Sequence, residues 1–172
     1  MPLIVRPWVD EASKSRWAFT PLVSVGPLQF GMTHDEVVTA LDMGAPTLRM
    51  PGRWADFGFD VGVRTYYDES GRLSCVAVDP IGPQVVLDGM RLVGRVLSRV
   101  ENWLCEYAHE RGMQARFGAS GCSGVDELGV MIRPQRMGDV VLTRPVFVAL
   151  WWADDASDGD EGPIPWDEWS VH

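Results

Sequence analysis

The segment Val61–Val78, VGVRTYYDESGRLSCVAV, decides the fold class of this chain. Its two flanks, 61–67 and 73–78, are rich in β-branched and aromatic residues, which favour strands. The segment Asp68-Glu69-Ser70-Gly71 between them is typical of a turn, and Gly71 is free to adopt a positive φ. The segment therefore predicts a β-hairpin.

Further strands are predicted on both sides of this hairpin. Two short extended segments precede it, 22–25 and 28–30. Three further segments follow it, 84–87 (ended by Asp88-Gly89), 128–133 and 140–152. Pro145 interrupts the last stretch, so this strand bends at Pro145, starts anew there, or lies at a sheet edge.

Two helices are predicted between the strands. Thr33 and Glu36 match a capping box, and we expect the short helix that follows to end at Gly44. A longer helix is expected from Arg95 to Arg111, because apolar residues recur there at steps of three and four.

The predicted fold class is α+β, with an antiparallel sheet packed by one short and one long helix. Residues 1–20 are interpreted as an N-terminal arm, 21–153 as a single domain, and 154–172 as an acidic tail containing tryptophan. A faint repeat pairs Gly26-Pro27 with Gly82-Pro83, so two related strand–helix–hairpin units, 21–80 and 81–153, are a further prediction.

Composition and charge restrict the classes of protein to which this chain could belong. The chain of 172 residues is 46% hydrophobic and 23% charged, which is typical of one globular domain. Its first residues have neither a basic start nor a long apolar run, which favours a cytoplasmic protein with reduced cysteines and no membrane span. The net charge is −9, and seven acids follow residue 153, so residues 1–153 carry −9 + 7 = −2. This nearly neutral body lacks the basic surface expected of a nucleic-acid-binding protein.

The residues that suggest chemistry form no recognised catalytic or metal motif. Ser120 and Cys122 lie in a glycine-rich segment that departs from the nucleophile elbow, so we interpret it as a flexible loop. Cys105 and His109 share a helix face, but no Cys-x-x-Cys pair accompanies them. We therefore predict no catalytic residue, no metal and no cofactor.

The tryptophans are more informative. The C-terminal tail is expected to be disordered until something orders it, yet it carries two tryptophans in a polar, proline-bounded context. Tryptophan is enriched at binding hot spots, but it also anchors tails onto their own domain, and both interpretations stay open. The candidate partner-binding residues are Trp151, Trp152, Trp166, Trp169, Asp158, Asp160 and Glu161.

The segment Phe30–Leu41, FGMTHDEVVTAL, closed by Gly44-Ala45-Pro46, resembles a known module. It is similar to the helix-plus-antiparallel-sheet unit of β-lactamase inhibitory proteins and of the small lipoprotein of the outer-membrane assembly machine. The layout, with Leu87-Asp88-Gly89 opening its second half, also resembles small actinobacterial immunity proteins of polymorphic toxins. The resemblance implies a binding scaffold and transfers no catalytic residue.

The composition, the motifs and the resemblance leave three candidate functions. The first is a cytoplasmic immunity-type inhibitor whose partner is a basic toxin enzyme domain. The second is an adaptor or structural protein that uses the acidic tail with Trp166 and Trp169. The third is an enzyme that uses scattered acids such as Asp56, Asp60 or Asp88. We expect a protein partner, with no nucleic acid and no membrane, and the sequence does not predict the oligomeric state.

Overall fold

The fold is built on an eight-stranded sheet in which all neighbouring strands run antiparallel. The computed structural model of the protein describes residues 11–117, 123–156, 158 and 161–171. In spatial order the strands are β10 (Ala115–Phe117), β11 (Ser123–Val125), β12 (Val130–Met137), β13 (Val140–Val148), β7 (Leu73–Val78), β6 (Val63–Tyr67), β5 (Trp54–Asp56) and β4 (Leu48–Met50). The predicted hairpin is confirmed as the pair β6–β7, and Gly71 in its turn has φ 79°.

A second, smaller sheet was not predicted from the sequence. Its strands, in spatial order, are β3 (Leu28–Gln29), β2 (Ser24–Val25), β1 (Arg16–Thr20), β8 (Gln84–Leu87) and β9 (Met90–Arg91). Its centre is the parallel pair β1–β8, so the last residues of the segment interpreted as an arm belong to a sheet. Trp17 of β1 packs closely over Gly26, where a Cβ atom would lie 2.4 Å from the indole ring. Only glycine allows this approach.

The two main helices match their predictions closely. Helix α1 (His34–Leu41) begins with the predicted capping box, in which Thr33 and Glu36 each bond the other's backbone N–H. Its left-handed end residue is Asp42, with φ 50°, rather than the predicted Gly44 two residues later. Helix α3 (Leu97–Glu110) is slightly shorter than predicted. The described residues also form one-turn α-helices at α2 (Gly58–Val61), α4 (Leu150–Ala153) and α5 (Trp166–Trp169), and short 3-10 helices at Glu11–Ser13 and Asp126–Leu128.

Strand β13 ends earlier than the sequence indicated. It stops at Val148, and residues 150–153 form helix α4, so Trp151 and Trp152 are not strand residues. The strand continues through Pro145, which pairs with Ile132 of β12. The N–H of Thr143 points away from β12 and donates to the carbonyl of Arg95. The backbone nitrogen of Pro145, two residues further along the strand, points in the same direction. The missing N–H of proline therefore costs the β12–β13 ladder nothing.

One face of the large sheet packs against α1, α3 and the smaller sheet. The helices contribute Val37, Leu41, Val100, Leu104 and Ala108 to this apolar core. The sheet contributes alternate residues of its central strands, among them Val76, Val78, Val130, Ile132 and Phe147. This is the layered packing that an α+β domain requires, and the predicted fold class is confirmed.

The other face of the large sheet is covered by the C-terminal part of the chain. Sheet residues that include Trp54, Tyr66, Cys75, Ala77, Met131 and Val146 form a second buried cluster. The C-terminal segment adds Ala153, Ala156 and Ile164 to this cluster, and its Trp152 and Trp169 pack against it. All six residues of β7 are buried because both faces of the sheet are covered.

The order of elements is similar in the two halves of the chain. After β1, each half contributes a pair of short strands (β2–β3 or β8–β9), then a helix, then four consecutive strands of the large sheet. The last strands of the two sets, β7 and β13, pair at the centre. That the halves are related units stays a prediction.

Candidate functional site

The described residues of 150–171 form a cover over the second face of the large sheet, called here the C-terminal cover. Near its start, Asp158 pairs with Arg116 of the edge strand β10, with 2.9 Å between Oδ1 and the guanidinium. Near its end, Asp167 lies 3.7 Å from Arg53, in the turn between β5 and the opposite edge strand β4. The cover therefore crosses the sheet from one edge to the other.

The cover is held at its centre by a buried carboxylate, that of Glu168 in α5. Its side chain is 0% exposed and that of Arg144 in β13 is 3% exposed. Arg144 donates two parallel hydrogen bonds, from Nε to Oε1 at 2.7 Å and from Nη2 to Oε2 at 3.0 Å. This two-point geometry is the strongest way in which arginine binds a carboxylate. The Glu168 carboxylate is therefore the main anchor of the cover.

Two neighbours complete the environment of this ion pair. The Tyr66 hydroxyl donates to Oε2 of Glu168 at 2.7 Å. Burial, and then the charge of Glu168, raise the pKa of Tyr66, so this hydroxyl keeps its proton and remains a donor. On its other side, Arg144 lies 3.0 Å from Asp79, which also accepts a hydrogen bond from Gln135. The arginine thus bridges two carboxylates.

Arg133 of β12 binds mainly the backbone of the cover, and its Nη1 also lies 3.8 Å from Oε1 of Glu168. Its guanidinium donates to the main-chain carbonyls of Glu168, Trp169 and Val171, the last two at 3.0 and 3.3 Å. The same guanidinium lies 5.0 Å from the centre of the Trp169 ring. Arg133 therefore satisfies the carbonyls at the end of α5, where a helix has no internal partners for them.

Several buried donors beneath the cover have no protein partner in the described part of the chain. The Nε1 atoms of Trp54 and Trp169 and the Nε atoms of Arg64 and Arg133 have no hydrogen-bond partner among the described residues. Arg64 stacks over the Trp54 ring at 4.7 Å and pairs with Asp56. Buried donors of this kind are commonly satisfied by ordered water.

A groove of about 630 Å³ runs beside the cover. Its walls are the turn at Gly52-Arg53, the hairpin turn at 68–72, and Trp152, Pro163 and Pro165 of the cover. Trp166, next to Pro165, is 66% exposed. A groove bordered by aromatic rings, proline and charged residues has the chemistry of a protein-binding surface.

Trp151 lies on the same side of the molecule and is held in place. Its Nε1 donates to Ser74 at 2.8 Å, and the Arg72 guanidinium lies 4.6 Å from the ring centre. The ring is still 41% exposed, and the preceding Leu150 is 66% exposed. Trp151 is therefore a fixed aromatic side chain that remains accessible.

The structure separates the seven sequence-predicted site residues. Trp152 lines the groove, while Trp166 and Trp151 lie near it with much of their rings exposed. Trp169 is turned inward against the second core cluster, as an anchor onto its own domain. Of the acids, Asp158 is paired with Arg116 at the far edge, Glu161 is exposed, and Asp160 lies outside the described residues.

Sequence reasoning missed the Glu168 anchor and its partners Arg133, Arg144 and Tyr66. A signal was present, since both arginines fall within strands whose other residues are largely apolar. A strand arginine buried on a sheet face requires an acidic partner. The sequence does not indicate which of the tail acids that partner is.

The residues considered for chemistry are dispersed over different elements of the described part of the chain. No group of three or more His, Cys, Asp or Glu residues there could hold a metal ion. Asp56 is paired with Arg64, whereas Asp88 accepts a hydrogen bond from Tyr107 in another region. Cys122 and Ser120 lie outside the described residues, and the side chain of Asp60 is likewise not described.

Comparisons with known proteins were made at the level of family, sequence and structure. No protein-family model matches the chain, and no curated protein or solved structure is significantly similar to it. The resemblance of residues 30–46 to the inhibitory-protein module therefore stays a prediction. Among the described helices, none is long and apolar enough to cross a membrane.

Proposed function

We propose that the protein is a non-catalytic protein-binding module, most specifically a cytoplasmic immunity-type inhibitor of a toxin enzyme. The observation that carries this proposal is the exposure of Leu150, Trp151 and Trp166, in the segment whose residues Trp152, Pro163 and Pro165 line the groove. Two exposed tryptophans within one short segment are unusual on a surface that binds nothing, because large apolar side chains favour burial.

The state of Trp151 supports binding in particular. Its ring is already fixed by Ser74 and Arg72, so a partner that covers it loses little side-chain entropy. Fixed aromatic rings of this kind contribute most of the free energy at protein interfaces. A neighbouring groove could receive a side chain or loop of the partner.

Charge supports a basic partner, such as the enzyme domain of a nuclease toxin. The net charge is −9, and most of it lies in the segment that forms the cover. Acidic groups around an interface accelerate encounter with a basic protein and contribute less to the final affinity. We therefore expect association to slow as salt is added.

The second candidate is an adaptor that is recognised through Trp166 alone. The exposure of Trp166 favours it, since this residue is accessible without opening the cover. Deleting residues 154–172 is a poor test, because it also removes Glu168 from the buried arginines. Single substitutions distinguish the candidates without that side effect.

The test begins with the purified full-length protein as bait in extracts of its own cells. A retained enzyme is then assayed for activity, alone and with the protein. We expect one stoichiometric enzyme that is inactive while bound. Trp151→Ala and Trp166→Ala should each weaken its binding by about tenfold or more, the loss typical of an interface hot spot.

Phe117→Ala is the matched control, because Phe117 is also 66% exposed but lies on the opposite edge strand, β10. It should leave binding unchanged. Loss of binding with Trp166→Ala alone would favour the adaptor. A retained enzyme that stays fully active when bound would exclude the inhibitor, and equal effects of all three substitutions would exclude this surface.

A further inference from the structure

The pocket beneath the C-terminal cover has the features of a ligand site. We propose that Tyr66, Arg133 and Arg144 form a recognition site for an acidic peptide segment of a partner protein, and that the C-terminal cover is a displaceable occupant of this site. The proposal goes beyond the exposed tryptophan surface, since it concerns other residues and a second binding event.

The contacts specify the chemistry of the ligand. Arg144 and Tyr66 bind both oxygens of one carboxylate, which requires an acidic side chain. Arg133 binds main-chain carbonyls on the residues that follow, which requires a peptide. The Trp169 ring lies against Arg133, which favours an aromatic residue next to the acid. A free phosphate would satisfy only the first of these contacts.

Two observations indicate that the occupant is displaceable. Residues 161–171 contribute no strand to either sheet, so this part of the cover can leave without breaking any strand pairing. Its helix α5 has only four residues and no side-chain cap.

The charge of the pocket determines which segment can compete. Arg133 and Arg144 are each at most 5% exposed on the side chain, and removal of Glu168 leaves both without their shared carboxylate. Two buried guanidinium groups strongly favour a new carboxylate over a neutral or basic segment. An acidic segment of a partner is therefore the occupant that fits, even where the partner as a whole is basic.

The test uses the full-length chain and a fluorescent peptide with the sequence of residues 161–172, EGPIPWDEWSVH. A protease recognition sequence is inserted after the exposed Asp158, and the chain is cut only after it has folded. Peptide binding is measured by fluorescence anisotropy on the cut chain, the intact chain, and an intact Glu168→Gln variant. Near-UV circular dichroism verifies that each protein stays folded.

We expect the peptide to bind the cut chain and the intact Glu168→Gln variant at least about tenfold more tightly than the intact wild type. A peptide with Gln in place of Glu168 should lose about tenfold or more in affinity, because it lacks the carboxylate. A peptide in which only Glu161 is changed to Gln is the control and should bind normally, because Glu161 is exposed.

Two results would overturn the proposal. The peptide could bind no folded form, which would make the cover a permanent part of the core. Alternatively, Gln and Glu peptides could bind equally, which would remove the carboxylate specificity. If the Glu168→Gln protein does not fold, Trp169→Ala in the intact chain replaces it, because this change weakens the cover and leaves the pocket residues in place. Binding through Trp151, which lies outside residues 161–172, is unaffected by these outcomes, so the two proposals can be tested separately.

Discussion

The two faces of the large sheet are both covered, but by different physical means. The first face packs against α1, α3 and the smaller sheet through apolar side chains such as Leu104, Ile132 and Phe147. The second face is covered by the C-terminal cover, which is anchored through Glu168 and two buried arginines. Apolar packing is spread over many contacts, whereas the second contact depends on a few charged groups. The first face is therefore expected to set global stability and the second to open locally.

The largest expected effect is on the first face. Leu104→Ala removes a side chain with no exposed area from the centre of the α3 contact. Loss of buried leucine costs about 3–5 kcal/mol of unfolding free energy, because transfer energy is lost and a cavity remains. Urea denaturation followed by circular dichroism measures this loss. Arg99→Ala, on the exposed side of the same helix, should change stability by less than about 0.5 kcal/mol.

The second effect is smaller and restricted to the cover. Glu168→Gln keeps the shape of the side chain but removes its charge, so two buried arginines lose their carboxylate partner. We expect a cost of about 2 kcal/mol, the worth of a hydrogen bond to a charged group. Hydrogen exchange should become faster in residues 161–171 and stay slow in α3. Equal acceleration in both regions would show that the two faces open together.

A third change sharpens the comparison within the pocket. Tyr66→Phe removes one hydrogen bond to Glu168 and leaves the arginine pair in place. The expected cost is about 1 kcal/mol, read from the urea midpoint. Tyr107→Phe is the control, since the Tyr107 hydroxyl bonds Asp88 at an exposed position. If Tyr107→Phe lowers stability as much as Tyr66→Phe does, burial does not strengthen the hydrogen bond between Tyr66 and Glu168.

The smallest effect concerns pH on the helix side. Burial, and then the positive charge of Arg49, lower the pKa of His34 from 6.5. The unfolded chain therefore binds more protons than the folded chain just below pH 6.5, so stability falls as the pH falls through this range. His34→Gln should flatten this part of the profile of stability against pH, whereas His109→Gln should not. A profile unchanged by His34→Gln would contradict the assigned pKa direction.

The sequence predicted local structure better than it predicted the second face. The hairpin 61–79, the capping box at Thr33 and Glu36, and α3 are signalled by nearby residues, because turn and cap chemistry is local. The smaller sheet escaped prediction because Arg16–Thr20 is short and pairs with a strand more than sixty residues away. Glu168 is indistinguishable in sequence from the other tail acids, since its role is created by Arg133 and Arg144 on distant strands.

The site was predicted only in part for the same reason. Tryptophan content indicated Trp151, Trp152, Trp166 and Trp169, but composition does not say which ring points outward. The structure turns Trp169 inward and leaves Trp166 exposed, although they lie on one short helix. Their difference depends on Arg133, which binds the carbonyl groups and contacts the ring at the Trp169 end only.

The most direct test of the central claim uses the thiol of Cys75 as a reporter of the second face. Cys75 is fully buried in the cluster under the cover, and burial, followed by the charge of Glu168, raises its pKa, so the closed protein protects it. Its reaction with Ellman's reagent is followed in a Cys105→Ser/Cys122→Ser background, in native buffer. A cover that opens locally predicts a labelling rate about tenfold or more faster in Glu168→Gln, with little acceleration in Glu161→Gln. The claim is contradicted if Cys75 is labelled only when the whole protein unfolds, so that the labelling rate follows the rate of global unfolding in every variant.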